Sequence, residues 1–88
     1  MEDIRQRIDD LDRDIVALIA NRGACVARAA HFKKDSNDVK APQRVEQVIE
    51  KVRSLSKELG ADPDLVEQVY RTMIREFIKA ELTEHRSI

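Results

Sequence analysis

Arg22 interrupts an apolar heptad. Ile4, Ile8, Leu11, Ile15 and Leu18 precede it, and Cys25, Ala29 and Phe32 follow, in steps that alternate four and three. That is the seam of a long helix packed against other helices. A cation in such a seam is costly unless an anion meets it. Lys33 follows eleven residues later; at about 100° per residue that is about 1100°, only about 20° off the direction of Arg22. Two cations thus bracket a small apolar strip, Val26 and Ala29, with Cα atoms ~16 Å apart. Long cationic side chains at that spacing can grip a small dianion between them. Arg5 sits beside the start of the seam, and Arg44 beside Val45 in a second stripe. Glu81 occupies an apolar slot of a third stripe, in which Tyr70, Phe77 and Glu81 are spaced seven and four. A lone charge is usually only solvated, but Arg22 and Glu81 stand where the pattern asks for apolar residues. A buried Arg22–Glu81 ion pair without a ligand is the structural alternative.

No nucleophile or cofactor signature accompanies these charges. His31 and His85 are isolated, and there is no Gly-rich phosphate loop, nucleophile elbow or Cys/His pair. His31 flanks the seam residue Phe32 and reads as structural. Cys25 is the only cysteine, so it has no disulfide partner in the chain; as a seam residue it is expected to be a small buried side chain rather than a nucleophile. The expected chemistry needs no metal and no cofactor: cationic side chains hold a dicarboxylate in a reactive shape and stabilise the charge that develops on it.

Three helices are expected to position these residues. The first begins near Asp3, a plausible N-cap, and runs to about Lys34, ~48 Å. Asp35-Ser36-Asn37-Asp38 is a cluster of helix-stopping residues and reads as a loop. Ala41-Pro42 opens a second helix with the stripe Val45, Val48, Ile49, Val52, Leu55 and Leu59, stopped by Gly60. Asp62-Pro63 is an N-cap and first-turn proline for a third, with the stripe Val66, Val69, Tyr70, Met73, Ile74, Phe77, Ile78 and Leu82. The second and third helices, ~27 and ~35 Å, are too short to cover the whole first seam. A continuous uncovered stripe marks a partner surface, so a homodimer is expected, with an antiparallel three-helix monomer as the alternative.

Composition agrees with one all-α domain over 1–88: there are two Gly and two Pro, and aromatics are 3%. Charged residues are 38% but the net charge is −1, which argues against a nucleic-acid binder or a polybasic membrane anchor. The start Met1-Glu2-Asp3 is acidic rather than signal-like, no run has transmembrane length, and a cytoplasmic location is expected.

The run Ile4-Arg5-Gln6-Arg7-Ile8-Asp9-Asp10-Leu11-Asp12-Arg13-Asp14-Ile15-Val16-Ala17-Leu18-Ile19, with Arg22 after it and Lys33 eleven residues on, resembles the opening of the all-helical chorismate mutases. The resemblance covers essentially the whole chain. It implies an intertwined three-helix homodimer with two shared active sites that rearranges chorismate to prephenate without a cofactor. It further implies that Arg5, Arg22 and Arg44 bind the substrate's carboxylates and that Lys33 donates to the ether oxygen whose bond breaks. Glu81 falls where many members have Gln, a second donor to that oxygen. Arg5 and Lys33 are 28 residues apart, ~42 Å on one helix, so if both serve one site Arg5 comes from the other subunit.

Val45 and Phe77 depart from the pattern. Val45 stands where many mutases have a Glu that meets the substrate hydroxyl, and Phe77 where a small hydroxylated residue is frequent. The stretch Val39-Lys40-Ala41-Pro42-Gln43-Arg44-Val45 is similar to that of the isochorismate-pyruvate lyases, which share the fold and the cationic site and release salicylate and pyruvate. Lyase activity, action on an amino-substituted chorismate, and a non-enzymatic helical dimerisation module are therefore the rival readings to a chorismate mutase.

Overall fold

A computed structural model describes residues 1–32 and 35–87, with the backbone alone for 36, 37 and 84–87. All regular structure among them is helical: α1 (Glu2–Ala30), α2 (Ser36–Lys40), α3 (Pro42–Leu59) and α4 (Pro63–Ser87). The chain divides into two compact units, Met1–Phe32 and Lys33–Ile88.

The first unit is α1. Glu2 and Asp3 in its first turn and Arg28 in its last complement the helix dipole. The N-cap is Met1, without a side-chain cap, so Asp3 lies inside the helix rather than capping it. The helix ends at Ala30, short of the expected Lys34. His31 and Phe32 donate to Arg28 and Ala29 carbonyls at 3.3 and 3.1 Å, three residues back, which tightens the last turn and closes the helix. Lys33 and Lys34 lie outside the described residues.

The seam of α1 is open. Ile4, Ile8, Leu11, Ile15 and Leu18 are 50–64% exposed and Phe32 is 86% exposed. Cys25 is exposed too, not the buried residue expected. Toward its C-terminal end Arg22, Gly23 and Val26 are half-buried and Ala30 is buried. This strip keeps Arg22 and Val26 from the expected one but replaces the exposed Ala29 with Ala30.

In the second unit, α3 and α4 form a hairpin, and α2 also packs on α4. The expected loop at 35–38 is partly the start of α2. Asp35 accepts the Asp38 N–H at 3.0 Å, so a residue expected in a loop caps a short helix instead, and Val39 is the most buried large side chain among the described residues, 2% exposed. Pro42 is at the start of α3, as expected. Gly60 ends α3 at φ 79°, its N–H on the Ser56 carbonyl; a Cβ there would meet nothing within 4 Å, so the left-handed turn, not space, asks for glycine. Asp62 accepts the Asp64 N–H at 2.9 Å and caps α4 as expected.

Ile49 and Val52 are the buried aliphatics of α3. Ser56, also buried, donates to the Val52 carbonyl at 2.7 Å. Leu55 and Leu59 of the expected stripe are exposed, as is Val69 on α4. The outer side of the hairpin is laced by charge. Arg53 donates to Asp64 at 3.0 Å and Glu67 at 2.8 Å. Arg71 donates to Glu67 at 2.7 Å and grips Glu46 with both terminal nitrogens at 3.0 Å.

Candidate functional site

Arg44 lies in the first turn of α3, exposed, and Val45 next to it is half-buried. Arg44 lines a cleft of about 500 Å³ with Asp38, Ala41, Pro42, Gln43 and Gln47. On α4, Phe77 is half-buried and Glu81 is 4% exposed. The Arg53–Glu67 and Arg71–Glu46 pairs set the antiparallel register of the hairpin. Extended along α4, that register brings Phe77 level with the start of α3 and Glu81 level with α2. Phe77 and Glu81 therefore lie toward the end of the hairpin at which α2 turns into α3, the end at which Arg44 and Val45 open α3. The sequence slot of Glu81 foretold its burial. Its carboxyl is not an orphan, and no buried side-chain nitrogen or oxygen among the described residues lacks a hydrogen-bond partner.

The other candidates lie on α1. Arg5 is exposed and meets only Glu2 in a 3.6 Å, three-residue ion pair; such an exposed pair contributes little and leaves the guanidinium available. Arg22 is half-buried and partnered. Arg5 and Arg22 are seventeen residues apart in one helix, about 26 Å. Side chains on a helix tilt the same way, toward its N-terminus, so their heads keep that separation. Lys33 lies outside the described residues.

The start of α3 stands where Pro42 signals it, but the backbone of its N-cap was not legible in the sequence. Its N-cap, Ala41, has φ 37° and ψ 61° and makes no side-chain cap, a conformation non-glycine residues seldom adopt. The clasp that Arg71 makes with Glu46 and Glu67 was not legible either. Arg71 raises no suspicion alone, although Glu67 four residues earlier is the spacing of a helical ion pair. Hydrogen bonding to Arg71 is the main cause that lowers the carboxyls of Glu46 and Glu67 below their usual range, and Arg71 itself is raised. Among the described residues no group of His, Cys, Asp and Glu could hold a metal ion, and no helix is long and apolar enough to cross a membrane.

The chain is all-helical in its described residues, with candidate arginines on α1 and α3 and a buried carboxyl on α4. The chain belongs to the chorismate mutase type II family, whose profile residues 4–82 match. It is similar to the isochorismate pyruvate lyase of Pseudomonas aeruginosa, 30% identical over 82 residues that cover 93% of this chain and 81% of that one. It is similar to the chorismate mutase of Methanocaldococcus jannaschii, 27% identical over 75 residues, 84% and 76% of the two chains. The T-protein of Haemophilus influenzae is 31% identical over 77 residues, 86% of this chain, which spans only 20% of that protein.

Proposed function

We propose that this protein is a chorismate mutase that works as a homodimer, rearranging chorismate to prephenate for aromatic amino-acid biosynthesis. The reading rests on membership of the family together with the burial of Glu81, a carboxyl in an apolar slot, toward the end of the α3–α4 hairpin at which Arg44 opens α3. Arg22 and Arg44 bind the substrate's two carboxylates, joined by the partner subunit's Arg5. The 26 Å between Arg5 and Arg22 and the open apolar seam of α1 are the reasons for placing Arg5 in the other subunit's site.

The reaction is intramolecular and pericyclic, so the protein supplies shape and charge alone, without a cofactor. The arginines fold the substrate into the reactive conformer. Lys33 donates to the ether oxygen, on which negative charge grows as its bond to carbon breaks, so this contact strengthens in the transition state. Glu81 is the second donor. A carboxylate only accepts hydrogen bonds, so Glu81 serves the ether oxygen while it carries a proton. Val45 and Phe77 wall the site.

A second reading, an isochorismate-pyruvate lyase, is favoured by Val45 and by the relative in Pseudomonas aeruginosa. One assay separates the two: purified protein is given chorismate and, separately, isochorismate. Prephenate from chorismate supports the mutase, salicylate with pyruvate from isochorismate supports the lyase, and no turnover of either overturns both.

A further inference from the structure

The first turn of α3, which carries Arg44, is poorly secured from within. Its N-cap Ala41 offers no side-chain oxygen and sits at positive φ, a backbone that non-glycine residues seldom adopt. The turn contains no acid, and Arg44 places a cation at the positive end of the helix dipole. Only Pro42, with its preset φ and absent N–H, favours this start. A turn of this kind frays unless something outside it holds it.

Glu46 begins the next turn of α3, and the planar fork of Arg71 grips both its oxygens from α4. Arg71 is itself oriented: its Nε donates to Glu67 at 2.7 Å, and Glu67, 22% exposed, is held by Arg53 from the middle of α3. The guanidinium therefore bridges two points of α3, its middle through Glu67 and its beginning through Glu46.

We propose that Arg71 is a positioning residue: through its fork to Glu46 it holds the opening of α3, and with it Arg44, where the substrate's carboxylate is bound. The inference rests on the functional reading above for its catalytic consequence. Arg44 meets a carboxylate that is present in the ground state and the transition state alike, so misplacing it raises KM and leaves kcat nearly unchanged.

The test uses the full chain with Arg71→Gln, Arg71→Lys and Arg53→Gln. Arg71→Gln raises KM about tenfold, the loss of roughly one charge-assisted hydrogen bond, with kcat within about twofold. Amide exchange quickens at residues 44–47 and not at residues 54–58 near the other end of α3. Arg71→Lys recovers part of the loss, because an ammonium keeps the charge but not the fork. Arg53→Gln breaks the far end of the chain of charges, so it lowers Tm while KM stays within about twofold. An unchanged KM in Arg71→Gln, or an equal rise in Arg53→Gln, overturns the inference. If Arg71→Gln does not fold, Glu46→Gln opens the same fork from its exposed side and is read in the same way. An inactive wild type overturns the functional reading instead; amide exchange then decides the structural claim alone, and unchanged exchange at 44–47 overturns it.

Discussion

Lys33 and Glu81 divide the proposed chemistry between a permanent donor and a conditional one. Lys33→Ala should lower kcat by about 10²–10³, the scale of one oxyanion donor or about 3 kcal/mol of barrier, with a smaller change in KM. Arg22→Ala should weaken substrate binding as well. Steady-state kinetics of the two variants checks this, and near-normal kcat in Lys33→Ala would remove the residue from the mechanism. Glu81 donates only when protonated, whereas an amide in its place always donates. Glu81→Gln keeps the shape and the donor, so it should retain activity, and Glu81→Ala should lower kcat. Steady-state kinetics of the two variants checks this, and an inactive Glu81→Gln would show that Glu81 is not a donor.

At the scale of elements, α3 and α4 are joined by aliphatic burial inside and a chain of charges outside. Glu46 and Glu67 are both lowered from the ordinary 4.5, first by hydrogen bonds from Arg71, with Arg53 also acting on Glu67. Near that pH the unfolded chain binds more protons than the folded one. The stability contributed by the clasp is therefore fully present above the ordinary carboxylate value and is lost as pH falls through the depressed folded values. Glu67→Gln should lower Tm at pH 7 and differ progressively less from wild type as pH drops below about 4.5. Thermal melts across that range check the sign; a gap that widens in acid would refute it. Among the described side chains of α2, Val39 alone is buried. Val39→Ala removes two buried methyl-sized groups, a loss of about 1.5 kcal/mol, and should lower Tm by several degrees.

At the scale of the whole molecule, the open seam of α1 is the surface that the proposed dimer covers. Five aliphatic side chains about half exposed represent roughly 5 kcal/mol of gross burial available to a partner, before the cost of association. The proposed dimer should show a Tm that rises with protein concentration, and Leu11→Glu should abolish that dependence. Subunit mixing tests the shared site. Arg5→Ala and Lys33→Ala chains are each weak alone, but a mixed dimer places both defects in one site and leaves the other intact. Activity should return on mixing to about a quarter of the wild-type level in an equal mixture, since half the dimers are mixed with one good site each. Verified exchange without recovery would refute the shared site.

The chain alone determined what rests on neighbours within a few residues. Pro42, Gly60 and Asp62-Pro63 mark helix ends through φ preference, a missing N–H or a side-chain acceptor close by, and each end stands where its residue signals it. The apolar slot of Glu81 is periodic, so its burial was legible as well. Tertiary structure decided what depends on distant chain or on cover. A heptad says that Cys25, Phe32 and Leu59 can be buried, not that anything lies over them, and all three are exposed. Asp35-Ser36-Asn37-Asp38 reads locally as a loop and, with Val39 buried behind it, starts a helix instead. The fork between Glu46 and Arg71 spans 25 residues, and no local rule pairs them; only the register of α3 on α4 does.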